Sequence, residues 1–274
     1  VTYAKGLQEA MVRLNQAGLM GFILERKYGG LNLPISLYVF AIEMVSRGDA
    51  SLMNLFGLQD ISETIENYAT DEIKEEFLHK FSSGEVTGAM VLTEPDAGSD
   101  LQAVKTRAYQ DENGNWFLSG VKRFITNGNA DVNLVLARSE EGTRDGRGLS
   151  LFVCYGDDTV QIRRIEHKLG IKGSPTCEMQ FHDTPAQLIG SRKRGLISYV
   201  MSLMNGARLG VAAQALGIAQ AAYVEARRYA QEREQFGKSI LNFPAVAHML
   251  IRMKVDLETA RTLIYATARA VGMH

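Results

Sequence analysis

The hydrophobic period of this 274-residue chain changes twice, after Glu85 and again after Gly195, and that double switch limits the possible folds more than any other feature. Between the two points lie eight short runs rich in β-branched and aromatic residues, at 86–93, 103–109, 116–119, 123–126, 132–137, 149–155, 160–165 and 177–181. Turn residues separate them, and Asn113-Gly114 is the strongest short hairpin signal in the chain. No helix-length segment interrupts the runs and no GxGxxG follows any of them. An antiparallel β-barrel or sandwich is therefore favoured over a parallel βαβ sheet.

The flanks read as helices. Leu7, Met11 and Leu14 share one face of a segment over about 3–17 that ends near Gly18. Past a Gly/Pro loop at 28–34, Ser36 is read as the N-cap of a helix whose Leu37, Phe40, Ala41 and Met44 form a stripe, widened by Val39, Ile42 and Val45. A helix apolar over that much of its circumference is expected to be buried on several sides. Thr70-Asp71-Glu72 opens another, with Ile73, Phe77, Leu78 and Phe81 inward and Gly84 closing it. After Gly195, residues 196–232 read as one long helix containing Gly206, Gly210 and Gly217. Glycines lower helix propensity, so several in one helix imply close approach of a neighbouring helix or a ligand. Gly237 suits a helix C′ position, and Phe243-Pro244 opens a last helix over 245–271. The expected class is α+β: an N-terminal helical domain (1–85), a central antiparallel β-barrel or sandwich domain (86–190) and the start of a C-terminal helical bundle (195–274). Val1-Thr2-Tyr3 reads as the interior of a longer polypeptide, and the last helix is still running at His274, so the chain is expected to continue.

A formal net charge of −1 gives no reason to expect nucleic acid or a polybasic membrane contact. No run approaches the roughly 18 consecutive apolar residues of a membrane span. Cys154 and Cys177 are far apart and lack CxxC spacing, which points away from a disulfide framework and toward a reducing compartment. The five histidines show no HxxxH or HxH pairing, so no metal site is expected.

The most informative loop is Thr93-Glu94-Pro95-Asp96-Ala97-Gly98-Ser99-Asp100, which follows the apolar run 89–92. Pro95 removes a backbone donor. Gly98 permits a positive φ or close approach of backbone to a ligand. Thr93, Ser99 and Asp100 add hydroxyl and carboxylate groups at a strand end, where ligand loops concentrate. The residues fit a polar cofactor or phosphorylated ligand held by backbone amides; a plain Asx or Ser turn fits them as well.

With its neighbours the loop resembles a known signature. Residues 91–103, Val-Leu-Thr-Glu-Pro-Asp-Ala-Gly-Ser-Asp-Leu-Gln-Ala, are similar to the first signature of the acyl-CoA dehydrogenase family, with Val91 where a small residue is commoner. Three further segments match in order: Lys122-Arg123-Phe124-Ile125-Thr126-Asn127-Gly128, Asn205-Gly206-Ala207-Arg208, and Glu232-Arg233-Glu234-Gln235-Phe236-Gly237-Lys238. The resemblance covers nearly the whole chain and leans toward larger bacterial members with an added C-terminal region. It implies FAD, an acyl-CoA substrate, a trans-2-enoyl-CoA product of fatty acid metabolism, and electron-transferring flavoprotein as acceptor. It further implies a homodimer or homotetramer in the bacterial cytoplasm or the mitochondrial matrix.

Carried over by position, the resemblance places Val91 and Thr93 at the flavin's pyrimidine side. Gly98 and Ser99 fall along its phosphate or ribityl side, with Ser99 also near the CoA chain. Phe124 packs against the isoalloxazine, where many members have tryptophan, and Thr126 hydrogen-bonds near N5. Asn205, in place of the usual aspartate, and Arg208 lie near the CoA nucleotide. Arg233 reaches the pyrophosphate of a neighbouring subunit's FAD, with Phe236 on the adenine side. Each also has a plain structural reading as a turn, an inward strand residue or a surface helix group. No catalytic base is recognisable. Most members carry it in a C-terminal segment; a minority place it before the arginine equivalent to Arg208, which here is Ala207 and cannot take a proton. Glu94 belongs to the cofactor loop and is read as structural. A flavin oxidase or monooxygenase on the same fold, and a helical binding protein that has lost FAD, are the other readings.

Overall fold

A computed structural model describes residues 2–272; Val1 and His274, on which the expected continuation at both ends rests, lie outside the described residues. In chain order the helices α1 (Lys5–Gln16), α2 (Ile35–Gly48), α3 (Ala50–Gly57), α4 (Ile61–Tyr68) and α5 (Asp71–Ser83) come first. Strands β1 (Gly88–Val91), β2 (Arg107–Gln110), β3 (Trp116–Thr126), β4 (Val132–Arg138), β5 (Leu149–Tyr155), β6 (Val160–Ile165) and β7 (Thr176–Ile189) follow. Then come α6 (Met201–Glu232), the short strands β8 (Glu234–Gln235) and β9 (Lys238–Ser239), and α7 (Pro244–Val271). The chain forms two compact units, each assembled from separated stretches: Val1–Leu33 with Asn54–Ala207, and Pro34–Met53 with Arg208–His274.

In the first unit the strands close on themselves. β4, β2, β3, β7 and β5 pair in turn and β5 returns to β4, with β1 added beside β4 and β6 beside β7. This is the expected β-barrel, with one correction to its direction. β1 runs parallel to β4 (Gly88↔Val132 to Val91↔Val135), and the single β2–β4 pair, Arg107↔Arg138, is parallel too. The β2–β3 hairpin supplies the long crossover that a parallel β1–β4 pair needs. Its loop is the Asn113-Gly114 turn, where Gly114 has φ +84° and Asp111 accepts hydrogen bonds from the Asn113 and Asn115 amides. The separate runs at 116–119 and 123–126 are one strand, β3. Register shifts between Leu118 and Gly120, and between Lys122 and Ile125, break its alternation and make the sequence read as two.

Strand β4 shows why the run 132–137 is apolar throughout. Leu134 and Leu136 join Ile61, Ile65, Phe77 and Phe81 of the helices, while Val135 and Ala137 join Phe152, Met179 and Phe181 inside the barrel. A strand buried on both faces loses the polar half of its pattern. Helix α5 behaves as read: Thr70 precedes it, and Gly84, at φ +70°, turns the chain off its end.

In the second unit α2 departs from expectation. It begins at Ile35 after Pro34, so Ser36 lies inside the first turn and is not the N-cap. Tyr38, Val39 and Ile42 are buried with Glu43 and Ser46, whereas Leu37, Phe40 and Met44 are 47%, 49% and 60% exposed. Among the described residues its Tyr38, Val39 and Ile42 side is buried while the Leu37, Phe40 and Met44 side stays about half exposed. Buried Glu43 is the polar anchor: it accepts hydrogen bonds from Arg261 (3.2 and 2.8 Å) and from the Tyr265 hydroxyl (2.5 Å) of α7. Arg261 also donates to Gln220 of α6 at 2.8 Å, so three helices share one network.

The glycine reading of α6 holds at one position. A Cβ on Gly217 would stand 2.5 Å from the Glu43 carbonyl oxygen and 2.9 Å from the Arg47 amide nitrogen, both backbone atoms of α2. Gly210 would meet only side-chain ends, Ile42 at 3.4 Å and Met53 at 3.9 Å, and Gly206 nothing nearer than 3.9 Å. Gly237 is not a helix C′ residue. Helix α6 stops at Glu232, and Phe236-Gly237, at φ +53° and +74°, forms the tight turn between β8 and β9. Length and composition alone would let Gly195–Glu232 cross a bilayer, at mean hydropathy 1.2.

Candidate functional site

Two chain segments, 30 residues apart, build one wall of the first unit. The first leaves β1 at Val91, which is fully buried and pairs with Val135 of β4. Glu94 and Ala97 exchange backbone hydrogen bonds (2.8 and 3.2 Å), with Pro95 and Asp96 at the exposed tip. Ala97 is buried, whereas Gly98, Ser99 and Asp100 are exposed. Asp100 accepts from the Gln102 amide at 3.0 Å, so for this residue the plain Asx turn is realised. Gly98 does not adopt a positive φ, and a Cβ there would meet only Thr93 Cγ2 at 3.6 Å. Of the two reasons for a glycine, close approach of a ligand is the one still open.

The second segment is the irregular part of β3. The Arg123 amide donates to the Thr93 carbonyl at 2.9 Å and lays this stretch against the loop. Phe124 follows with φ +62°, a conformation that costs a bulky residue of order 1–3 kcal/mol and persists only where its surroundings enforce it. The residue is 52% exposed, and the Arg123 guanidinium lies over its ring, 4.8 Å from the centroid. Arg123 is itself anchored by Glu166 (3.1 Å) and Glu178 (3.5 Å). Thr126 is part-buried and pairs with Thr176. Beyond it, buried Asn127 donates from its amide to the Pro175 carbonyl (2.7 Å) and from its side chain to the Gly88 carbonyl (3.0 Å), and it accepts from the Tyr3 hydroxyl.

Beneath both segments lies an ion pair that sequence reasoning did not single out. Lys122 is 0% and Glu94 6% exposed, with Nζ and Oε1 3.0 Å apart. Lys122 also donates to the Leu92 carbonyl at 2.8 Å. The Glu94 carboxylate accepts from the Lys105 and Thr106 amides at 2.7 and 2.9 Å. Burial alone would push the Glu94 carboxyl up. The Lys122 charge and the hydrogen bonds from residues 105 and 106 outweigh it and hold the group below the usual carboxylate range. Burial pulls the Lys122 ammonium down to about 8 against the opposing pull of Glu94. Both groups are therefore charged at neutral pH. The sequence held half of the signal: a lysine inside a strand segment that turns out buried demands an acid, but the pattern does not say which one.

The remaining candidates are distributed over both units. Asn205 and Arg208 are exposed on α6, Asn205 in the first unit and Arg208 in the second. Arg233 lies just past the end of α6, exposed, and among the described residues its guanidinium has no ion-pair partner. Phe236 is 92% exposed at the tip of the β8–β9 turn, with its ring 6.1 Å from Phe243 and edge-on to it. Ala207 stands where a base would precede Arg208. Both cysteines are free and buried, and burial pushes both thiols up, away from nucleophilic use. No group of residues suited to a metal ion occurs among the described residues.

An exposed aromatic ring on a rigid bulge, with the part-buried Thr93 and Thr126 nearby, suits a flat heteroaromatic ligand with polar edges. Residues 3–85, 89–184 and 194–272 match the acyl-CoA dehydrogenase N-terminal, middle and C-terminal domains. The chain is 36% identical over 266 residues to a short-chain specific acyl-CoA dehydrogenase of Clostridium acetobutylicum, covering 95% of this chain and 70% of that one. It superposes on butyryl-CoA dehydrogenase from Megasphaera elsdenii with TM-score 0.93 and 33% identity, covering 99% of this chain and 72% of the other. It also superposes on a chain in a structure of the electron transferring flavoprotein of Acidaminococcus fermentans, with TM-score 0.92 and 34% identity over 97% and 71% of the two. With all three domains matched in order, the chain belongs to the acyl-CoA dehydrogenase family.

Proposed function

We propose that this chain carries the FAD site of an acyl-CoA dehydrogenase that converts an acyl-CoA thioester to its trans-2-enoyl-CoA and passes electrons to an electron-transferring flavoprotein. The observation that carries the reading is the Thr93–Arg123 junction, which puts the loop 93–100 beside the Phe124 bulge in a chain of this family. The residues present fit the cofactor. The Thr93 and Thr126 hydroxyls would meet the polar edge of the isoalloxazine and Phe124 would cover one face, with Val91 buried at the strand end behind them. Gly98 and Ser99 border the ribityl–phosphate side. Arg233, with no ion-pair partner among the described residues, is suited to a pyrophosphate because a guanidinium pairs two oxygens at once, and Phe236 offers an aromatic surface to adenine. Ser99, Asn205 and Arg208 serve the CoA portion. FAD, when bound, supplies the hydride acceptor that no side chain can replace.

The chain's own residues hold the cofactor and leave the proton to another group. Ala207 is inert, Glu94 is committed to Lys122 and two backbone amides, and both thiols are buried. In this reading the carboxylate that takes the α-proton is the one that most family members carry in a C-terminal segment, outside residues 1–274. Division into domains at 1–85, 86–190 and 195–274, a homodimer or homotetramer in which Arg233 serves a neighbour, and a bacterial cytoplasmic or mitochondrial matrix setting belong to the same reading.

An anaerobic panel of acyl-CoA thioesters on the purified full-length protein tests it. At least one should bleach the flavin absorbance, and electron-transferring flavoprotein should restore it. Indifference to every thioester, with rapid oxygen uptake on another substrate, would replace the dehydrogenase with an oxidase on the same fold. Residues 1–274 alone should show little turnover; full turnover would place the base within them.

A further inference from the structure

We propose that the buried Glu94–Lys122 ion pair is a positioning element for the cofactor site, clamping the loop 93–100 to the Phe124 bulge before any ligand arrives. The inference rests on the FAD reading above, but it concerns a pair that touches no candidate ligand atom. Lys122 holds the Leu92 carbonyl, one residue before Thr93, and it precedes the strained Phe124 by two. Glu94 follows Thr93 directly, and its second role is to accept from the Lys105 and Thr106 amides, where the chain that leaves the loop enters β2. The pair therefore fixes the start of the loop, its return and the entry to the bulge from one point. The Arg123–Thr93 backbone bond closes the same circuit at the surface.

A fully buried ammonium is a costly way to fill space. An apolar pair of similar volume is often as stable or more so, which makes such a pair weak evidence for stability and leaves its directional hydrogen bonds to be explained. Here those bonds act on the backbone on either side of Thr93 and at 105–106. A site gains affinity when its groups are held in place in advance, because less freedom is lost on binding. Asn127 does the equivalent work after Phe124, through Pro175 and Gly88.

The test separates holding the fold from holding the site. The double variant Glu94→Gln/Lys122→Met removes both charges and leaves no unpaired ion. Its thermal unfolding, without cofactor, should lie close to wild type. FAD titrated into the apoprotein, followed by flavin fluorescence, should bind roughly tenfold or more weakly, and the absorbance band of the bound flavin should change shape. Wild-type affinity and spectrum in a stable double variant would overturn the proposal while leaving the FAD reading intact. Wild-type apoprotein that takes up no FAD at all would instead overturn that reading. If the double variant does not fold, hydrogen exchange on the wild-type apoprotein decides. The Lys105, Thr106 and Arg123 amides should exchange only as slowly as the barrel core. Rapid exchange that slows only when FAD is added would show that the pair organises nothing in advance.

Discussion

Replacing Lys122 alone with methionine is expected to lower the unfolding free energy by about 3–5 kcal/mol, because it strands a carboxylate in the interior. Glu94 is 6% exposed and would keep only its two backbone donors. Urea unfolding followed by far-ultraviolet circular dichroism measures the loss, and the slope with denaturant should stay unchanged if only stability has moved. Adding Glu94→Gln should recover most of it, since the amide keeps an acceptor for the 105 and 106 amides and carries no charge. The pH dependence follows from the direction of the Glu94 shift. Its carboxyl is held below the ordinary value of 4.5. Its contribution is thus complete above that value and is lost as pH falls through the lower native one. Wild type should lose stability on acidification more steeply than Glu94→Gln, and parallel acid limbs would show that Glu94 contributes nothing there.

Gly217→Val should be the most damaging single change on α6. The new Cβ would lie 2.5 Å from the Glu43 carbonyl oxygen, a distance real Cβ atoms do not adopt, and the obstacle is backbone. Relief requires α2 to move. That would disturb the Glu43–Arg261–Tyr265 network on the adjacent side chain, so a loss of about 3 kcal/mol or more is expected, the upper end for overpacking. Gly210→Ala is the control. Its nearest neighbour would be the flexible end of Ile42 at 3.4 Å, and alanine gains up to about 1 kcal/mol of helix propensity over glycine. A melting temperature that rises for Gly210→Ala and falls for Gly217→Val would confirm that only one of these glycines is there for helix contact. Equal effects would refute the distinction.

The parts of the fold that were legible were those where a local pattern has one tertiary solution. Helix α5 was readable end to end because its cap residues and apolar face agree. The barrel was readable from short apolar runs with no helix between them. Where two periods overlap, the sequence misled. β3 looked like two strands because its register slips around Gly120 and Phe124, and those slips are what form the bulge. Helix α2 looked buried on several sides because side-chain hydrophobicity reports a capacity for burial, and among the described residues only the Tyr38, Val39 and Ile42 side is buried. At the candidate site the loop motif named its residues, but Lys122 fell between the runs 116–119 and 123–126 and stood only as the first residue of a matching segment. Its meaning depends on Glu94, 28 positions earlier, and only the parallel and antiparallel pairings around β1 and β3 bring the two together. The positive φ of Phe124 was equally hidden, since nothing in a Lys-Arg-Phe-Ile run asks for a left-handed residue.

The composition of the second unit has a consequence for biosynthesis. Helix α2 ends at Gly48, and apart from residues 49–53 the rest of its compact unit starts at Arg208. About 160 residues must be made before its partners exist, which at about 5–20 residues per second leaves it waiting roughly 8–30 s. During that interval Ile42 and Glu43 lack their α6 and α7 neighbours, and a nascent chain with a partly uncovered apolar helix is a substrate for chaperones. Ribosome-bound chains arrested before residue 208 should therefore hold chaperone and expose this helix to protease, and chains released past α7 should shed the one and resist the other.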